Sequence, residues 1–316
     1  MTEPKGEWAL IDWIRRQAGG DSAAVPIGPG DDMACVRIGP TECLLTTDSL
    51  LEGTHFNLDR ATPRQVGYKA MAVSLSDCAA MAVEPVAAVA WVGLPESRPM
   101  AFAEDLTAGL LDAAKRFACP LVGGDVTSWE AGLAIGTTVL ARTGGTPPIR
   151  RNGARPGDVL FVTGRLGGSL LGRHLAFEPR VAEARRLAAA ADLHAMIDLS
   201  DGLATDLGHV CRESGVGAEI EAVAVPVSAD ARRLADRDGR FPLDHALSDG
   251  EDFELLLAVS AGDAERLGRE NPLGSVPLTR IGRVVEGQGV TLVEADGSRR
   301  PVEAAGYEHF RGEGPV

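Results

Sequence analysis

Residues 62–81 read TPRQVGYKAMAVSLSDCAAM, and the way this stretch folds decides the N-terminal half of the chain. Thr62-Pro63 has the chemistry of a helix start. A side-chain oxygen caps the first free amides, and a proline follows where its missing N–H is harmless. Val66, Ala70, Val73, Ala80 and Met81 recur at helical spacing, which predicts a helix to about Met81 with one apolar stripe. Asp77 falls on that stripe, since eleven residues from Val66, at about 100° per residue, return almost to the same direction. A carboxylate pointed into a core seam is costly unless it is paired, hydrogen-bonded or bound to metal. A metal ion and an arginine partner are the two readings. The chain has only three lysines, Lys5, Lys69 and Lys115, to compete with them.

Strand-like stretches flank this helix, at 42–47 before it and 86–92 after it. A second helix is expected over 101–117, with a stripe at Phe102, Leu106, Leu110, Ala113 and Phe117, and another strand over 133–140. Residues 143–156, TGGTPPIRRNGARP, are rich in glycine, proline and arginine and mark a domain junction. Beyond it, a strand at 158–163 runs into a glycine turn at 164–168. A strand at 195–199 feeds a helix over 201–213 that Gly215 closes, and 219–225 and 253–259 read as strands. The alternation predicts an α/β (α+β) chain of two domains, 1–149 and 150–316.

Composition narrows the function. The 316 residues are 45% hydrophobic with a net charge of −14, enough to bury a core and too acidic for a protein built to grip nucleic acid or anionic membrane. Cys35, Cys43, Cys78, Cys119 and Cys211 are dispersed with no C-x-x-C pair, the pattern of reduced thiols in a cytoplasmic protein. The N-terminus reads as an amphipathic helix through Trp8, Ile11 and Ile14, not a signal peptide. The most apolar stretch, 79–94, is broken by Glu84 and Pro85, so no membrane span is expected.

Aspartates recur where strands are expected to end. Gly28-Pro29-Gly30-Asp31-Asp32 follows a glycine turn, Thr46-Thr47-Asp48-Ser49 closes a strand, and Gly123-Gly124-Asp125 follows Leu121-Val122. Asp198-Leu199-Ser200-Asp201-Gly202 ends a strand and opens a helix. Each alone is an ordinary turn or cap residue; Asp77 is not covered by that reading. If these groups converge they repel, at about 1–4 kcal/mol for a pair 4 Å apart. Hard divalent cations such as Mg²⁺ with oxygen ligands answer that repulsion. Zinc-type clusters and the calcium-loop spacing are absent. Glycine turns at Gly123-Gly124, Gly164, Gly167-Gly168 and Asp249-Gly250 offer amides that can cradle phosphate. Together these features point to phosphoryl transfer from a nucleotide. No P-loop, protein-kinase motif or dinucleotide-binding glycine fingerprint is present, so the architecture is another one.

Eight segments in order across nearly the whole chain match one family: GPGDDMACV (28–36), TTDSLLEGTHF (46–56), YKAMAVSLSDCAAM (68–81), LVGGDVT (121–127), RNGARPGDVLFVTGRLG (151–167), IDLSDGLATDLGH (197–209), LSDGEDFEL (247–255) and GYEHF (306–310). The chain resembles the thiamine-monophosphate kinases, of the aminoimidazole ribonucleotide synthetase-like superfamily. The resemblance implies an N-terminal mixed sheet that forms a homodimer interface, and a C-terminal α/β domain. It implies ATP- and Mg²⁺-dependent phosphorylation of thiamine monophosphate to thiamine diphosphate, the last step in making that cofactor, by direct transfer without a phosphoenzyme. It implies that Asp32, Thr46, Thr47, Asp48, Asp77, Asp125, Asp198 and Asp201 hold several Mg²⁺ ions. Among them Asp32, Asp77, Asp125 and Asp201 carry catalysis. Gly124, Asp125, Arg151 and Ser200 would contact ATP, and His55 and Glu251 the thiamine side. Read without the resemblance, His55 is a polar residue packed beside Phe56, and Arg151 a linker charge. The sequence departs from the family at Ala304, where an aromatic often precedes the terminal motif: either Tyr307 or another ring stacks on the substrate instead, or substrate affinity is lower. It departs again at Asp249, where glycine is more common. The superfamily's cousins that use an N-terminal or C-terminal cysteine are disfavoured, because the chain has neither.

Overall fold

In the computed structural model of the chain, residues 7–18 and 21–302 are described. The N-terminal half runs α1 (Glu7–Ala18), β1 (Ala34–Ile38), β2 (Thr41–Leu51), α2 (Pro63–Ala80), β3 (Glu84–Pro95), α3 (Met100–Arg116), β4 (Leu121–Trp129) and β5 (Ala134–Arg142). Its five strands lie in the order β1-β2-β5-β3-β4. The β3–β4 pair is parallel and the other pairs are antiparallel. The C-terminal half contributes β6 (Val159–Thr163), α4 (Val181–Ala190), β7 (Leu193–Asp198), α5 (Leu203–Ser214) and β8 (Gly217–Glu221). It continues with α6 (Ala229–Asp238), α7 (Pro242–Ser248), β9 (Leu255–Val259), α8 (Ala261–Glu270), β10 (Leu278–Val285), β11 (Gly289–Val293) and β12 (Arg299–Val302). Seven strands lie in the order β12-β11-β8-β10-β6-β9-β7, again a mixed sheet. Residues 143–158, between β5 and β6, hold neither helix nor strand.

Helix α2 is the hinge pin of this arrangement. Thr62 caps it through a full capping box with Gln65, and Pro63 opens the first turn. The single apolar stripe expected of it is not found. Val66, Ala70, Met71, Val73, Leu75, Cys78 and Ala79 are buried on every side, because α2 lies between the five-stranded sheet, α3 and the C-terminal half. A helix enclosed on all faces has no solvent side to set a stripe against. Gly67 and Gly109 let α2 and α3 touch at the backbone. A Cβ on Gly67 would sit 1.9 Å from the Leu106 carbonyl oxygen, and one on Gly109 would sit 1.9 Å from the Arg64 carbonyl oxygen.

The seven-stranded sheet is covered on both faces, which explains its unbroken apolar strands. Val159 and Phe161 of β6, with Leu255, Leu257 and Val259 of β9, join the core that runs through α2 and α4. Leu160 and Val162, with Leu256 and Ala258, alternate into a second core under α5 and α7.

Several strands outrun their sequence limits, two of them at expected site residues. β2 continues to Leu51, so Thr46, Thr47 and Asp48 stand inside a strand instead of at its end. β4 runs straight through Gly123 and Gly124, so this pair is not a turn. Gly124 is needed there because a Cβ would lie 1.9 Å from the Ala90 carbonyl oxygen of the neighbouring strand. In the other direction, the strand expected over 219–225 stops at Glu221 and continues as the 3-10 turn Ala222–Ala224. The terminal motif 306–310, Ala304 and Tyr307 lie outside the described residues.

Candidate active site

A cleft of about 430 Å³ opens where the two halves meet, lined by Asp32, Thr46, Thr47, Asp48, Asp77, Arg151, Asp198, Ser200 and Asp201 among others. Four elements deliver its acids. Asp32 follows the Gly28–Gly30 turn, Asp48 points inward from the middle of β2, Asp77 comes from the last full turn of α2, and Asp198 ends β7. Asp32, Asp77 and Asp198 bring carboxylate oxygens within 4.8 Å of one another. Asp77 also sits at the helix end where the dipole disfavours negative charge.

Hydroxyl groups hold Asp77, Asp48 and Asp198 in place without neutralising them, and Asp32 has an arginine. Thr46 Oγ1 donates to Asp77, Ser74 Oγ to Asp48 at 2.7 Å, and Ser76 Oγ to Asp198 at 2.5 Å. Arg151 donates to one oxygen of Asp32. Asp31 accepts from the Arg150 side chain and the Arg151 amide. The arginine partner considered for Asp77 is therefore found on Asp32 instead.

Burial raises the pKa of Asp32, Asp48, Asp77 and Asp198. It lifts Asp32 to about 7, with help from Asp198 and Asp31 and against Arg151. It lifts Asp198 to about 6. Asp77 is pushed well above the ordinary carboxylate range by burial and then by Asp48, Asp198 and Asp32. Asp48 is raised by burial against bonds to Ser74 and Asp77. Burial works against the charge of Arg151, yet Asp32 and Asp31 hold it protonated above the usual range.

This set of residues fits divalent cations. Its donors are hard oxygens, and the second oxygen of Asp32 is buried with no hydrogen-bond partner among the described residues. A buried acceptor without a donor is costly, and a cation would satisfy it.

A second cleft, of about 270 Å³, adjoins the first and shares Asp48, Ser200 and Asp201 with it. Its wall is more apolar, from Leu50, Val73, Leu170 and Phe253, and it carries His55 and Glu251. Phe253 is backed by Phe177 in a stack with centroids 4.0 Å apart. Asp249 also lines this cleft, but its oxygens bond the Gly168 amide, Arg240 and His245.

Gly124 and Asp125 are the two expected site residues that the structure does not bring to either cleft. They stand on the exposed edge strand β4. Asp125 pairs with Trp91 in register, on the sheet face turned away from α2.

Sequence reasoning missed several contributors. Ser74 and Ser76 orient Asp48 and Asp198 from the same helix turn as Asp77; small hydroxyls inside an otherwise apolar helix were the signal. Asp206 accepts from the Asp201 and Gly202 amides at 3.1 and 3.0 Å and fixes the turn that carries Asp201. Lys69, noted only as a rare lysine, is fully buried and reaches Glu251.

Comparison with known proteins agrees with this geometry. Residues 30–143 match the family model of the AIR synthase related protein N-terminal domain, and residues 155–294 match that of its C-terminal domain. A thiamine-monophosphate kinase of Rhodopirellula baltica is 38% identical, over 90% of this chain and 92% of that protein. The Escherichia coli K12 thiamine-monophosphate kinase is 33% identical, over 96% of this chain and 98% of its own. A solved structure described as AaThiL complexed with AMPPCP and TMP superposes with a TM-score of 0.83 at 32% identity, covering 96% of this chain and 97% of that one. A two-domain frame, a cleft built of aspartates and relatives matched almost end to end have one common reading: the chain belongs to the thiamine-monophosphate kinase family.

Proposed function

We propose that this enzyme transfers the γ-phosphoryl group of ATP directly onto the phosphate of thiamine monophosphate, giving thiamine diphosphate and ADP. The junction of the two clefts carries the reading. The acid-floored cleft suits the nucleotide phosphates and their cations, and the apolar cleft with Glu251 suits a flat, permanently cationic heterocycle. They meet at Asp48, Ser200 and Asp201, where two phosphates would face each other. An oxygen of the substrate phosphate attacks the γ-phosphorus in line, and the bond to the β-phosphate oxygen breaks with ADP leaving. No strong general base is required, since a phosphate monoester is already largely ionised near neutral pH.

Several Mg²⁺ ions would be held by Asp32, Thr46, Thr47, Asp48, Asp77, Asp198 and Asp201. Bound there, they supply the positive charge that lets two anionic phosphates approach. The chain's own part is orientation. Ser74, Ser76 and Thr46 fix the carboxylates, and Arg151 supplies a cation at the cleft wall beside Asp32.

The same reading makes the molecule a homodimer. The outer face of the five-stranded sheet exposes Leu45, Leu51, Val89 and Trp91, an apolar surface of the kind that marks interfaces. Asp125 lies on that side beside Trp91, and both it and Gly124 are exposed on the edge strand β4. A second copy seated there gives these two residues a place in a completed site. We place the domain boundary at 149/150, with ATP, Mg²⁺ and dimer contacts assigned to the N-terminal domain. The five free cysteines support a cytoplasmic location, and among the described residues no helix is long and apolar enough to cross a membrane.

Incubation with ATP, Mg²⁺ and thiamine monophosphate, followed by chromatography for thiamine diphosphate, tests the activity; an absence of product removes the reading. ATP made chiral at the γ-phosphorus with oxygen isotopes tests the route. Direct transfer inverts the configuration, whereas retention would mean a phosphoenzyme.

A further inference from the structure

Lys69 is the one lysine in the described core, with no exposed surface. Its ammonium has three N–H donors, and the structure supplies three acceptors: the His55 carbonyl oxygen and both oxygens of Glu251, each at 2.7 Å. Every donor is therefore used, which is the condition for keeping a charge so deeply buried. Burial pushes the lysine pKa down, and the Glu251 carboxylate pulls it back up.

The partners come from different parts of the molecule. Lys69 is on α2, and His55 is in the turn after β2, both in the N-terminal half. Glu251 lies in the loop between α7 and β9 of the C-terminal half. Both partners line the second cleft, from opposite halves. Glu251 keeps part of its side chain exposed, 21% against 0% for Lys69. Its backbone has φ of +53°, a left-handed conformation that side-chain-bearing residues seldom adopt. Its amide donates to the Ser200 carbonyl oxygen at 2.6 Å. The Glu251 carboxylate is thus held at its head by Lys69 and at its backbone by Ser200. On the other side, the Leu51 amide donates to His55 Nδ1 at 3.0 Å, which leaves the ring proton on Nε2.

We propose that Lys69 is a positioning residue for the acceptor substrate, pinning the His55 turn and the Glu251 loop together across the domain seam and so fixing the width and charge of the second cleft. It acts through Glu251. One negative charge of the cleft wall is balanced from behind, and the exposed part of the carboxylate is held at the wall that would face the cationic ring of the ligand. The inference rests on the reading of the second cleft as the thiamine-side pocket.

A double-mutant cycle on the full-length enzyme tests it, with steady-state kinetics for both substrates. Lys69→Met raises KM for thiamine monophosphate about tenfold or more, the loss expected from one charge-assisted contact, and leaves KM for ATP within about twofold. Glu251→Gln does the same. In Lys69→Met/Glu251→Gln the rise is no larger than in Glu251→Gln alone, because a lysine bonded only to the His55 turn no longer ties the two halves across the seam. If Lys69→Met fails to fold, Lys69→Gln, a neutral donor, replaces it with the same expectation, and the double variant, free of any unpaired buried charge, still reports on the pair. A wild-type KM for thiamine monophosphate in the lysine variant, an equal rise for ATP, or additive effects in the double variant would each overturn the proposal and reduce the pair to a structural tie. A wild-type enzyme that makes no thiamine diphosphate would instead remove the functional reading beneath it.

Discussion

The two faces of strand β2 do opposite work. On its inner face Thr46 and Asp48 point toward α2 and the acid-floored cleft, between Leu44 and Leu50 in the core. On its outer face Leu45 and Leu51 are exposed, beside Val89 and Trp91 of β3 across the sheet. A half-solvated sheet ordinarily keeps its charge outside and its apolar groups inside. Here a charge sits inside and large apolar groups sit outside, so neither face is a plain solvent surface. Such an inverted strand is where we propose two functional surfaces back to back, a site on one side and a contact on the other.

The comparison is broken most severely from the inside. Asp77→Asn should lower turnover about a thousandfold, the scale of losing a preorganised charge-stabilising group. The cation-free melting temperature should hold or rise, because one of several repelling buried carboxylates is gone. A variant that mainly unfolds would mean the inner face is ordinary core. From the outside, Trp91→Glu places a charge in the apolar face, and sedimentation should show dissociation about a hundredfold easier than for the wild type. Unchanged mass with unchanged activity would leave the outer face without a partner.

The pH dependence sharpens the same contrast. Asp32 and Asp198 titrate near 7 and 6 in the fold, above the ordinary value of 3.8. Between about pH 4 and 7 the native state therefore holds more protons than the unfolded chain, and stability falls as pH rises. Melting curves in chelator should show that decline, and Mg²⁺ should reverse it above pH 7; a flat profile in chelator would mean the acids are not as enclosed as described. The smallest effect is expected at the far end of α2. Thr62→Ala should cost about 1 kcal/mol of stability by removing the cap and should leave both KM values alone.

Much of this was legible in the sequence. The helix start at Thr62-Pro63 and the anomaly of Asp77 needed only spacing and cost arguments, whereas the aspartates at 32, 48, 198 and 201 read singly as turn or cap residues and are joined into one site by their recurrence and by the family resemblance. The stripe on α2 did not survive, because periodicity assumes a solvent side and α2 has none. The ends of β2 and β4 were misjudged because aspartate and paired glycines are turn formers by local propensity, and sheet pairing overrode them. Asp125 could not be located from one chain's pattern, since facing outward is a property of the sheet register. Lys69 and Glu251 are 182 residues apart, and nothing local joins them.

The backbone contact of α2 with α3 at Gly67 and Gly109 sets a mechanical tolerance for the chemistry. Asp77 lies ten residues farther along α2, about 15 Å of helix. A rod seated that closely transmits any shim placed under one end to the other. A single added methyl at Gly67 would have to lift the rod off Leu106, and the carboxylate at its tip would drift out of alignment with its neighbours in the cleft. The accuracy of the site is thus ruled partly by two side chains that are absent, at a point no ligand ever touches.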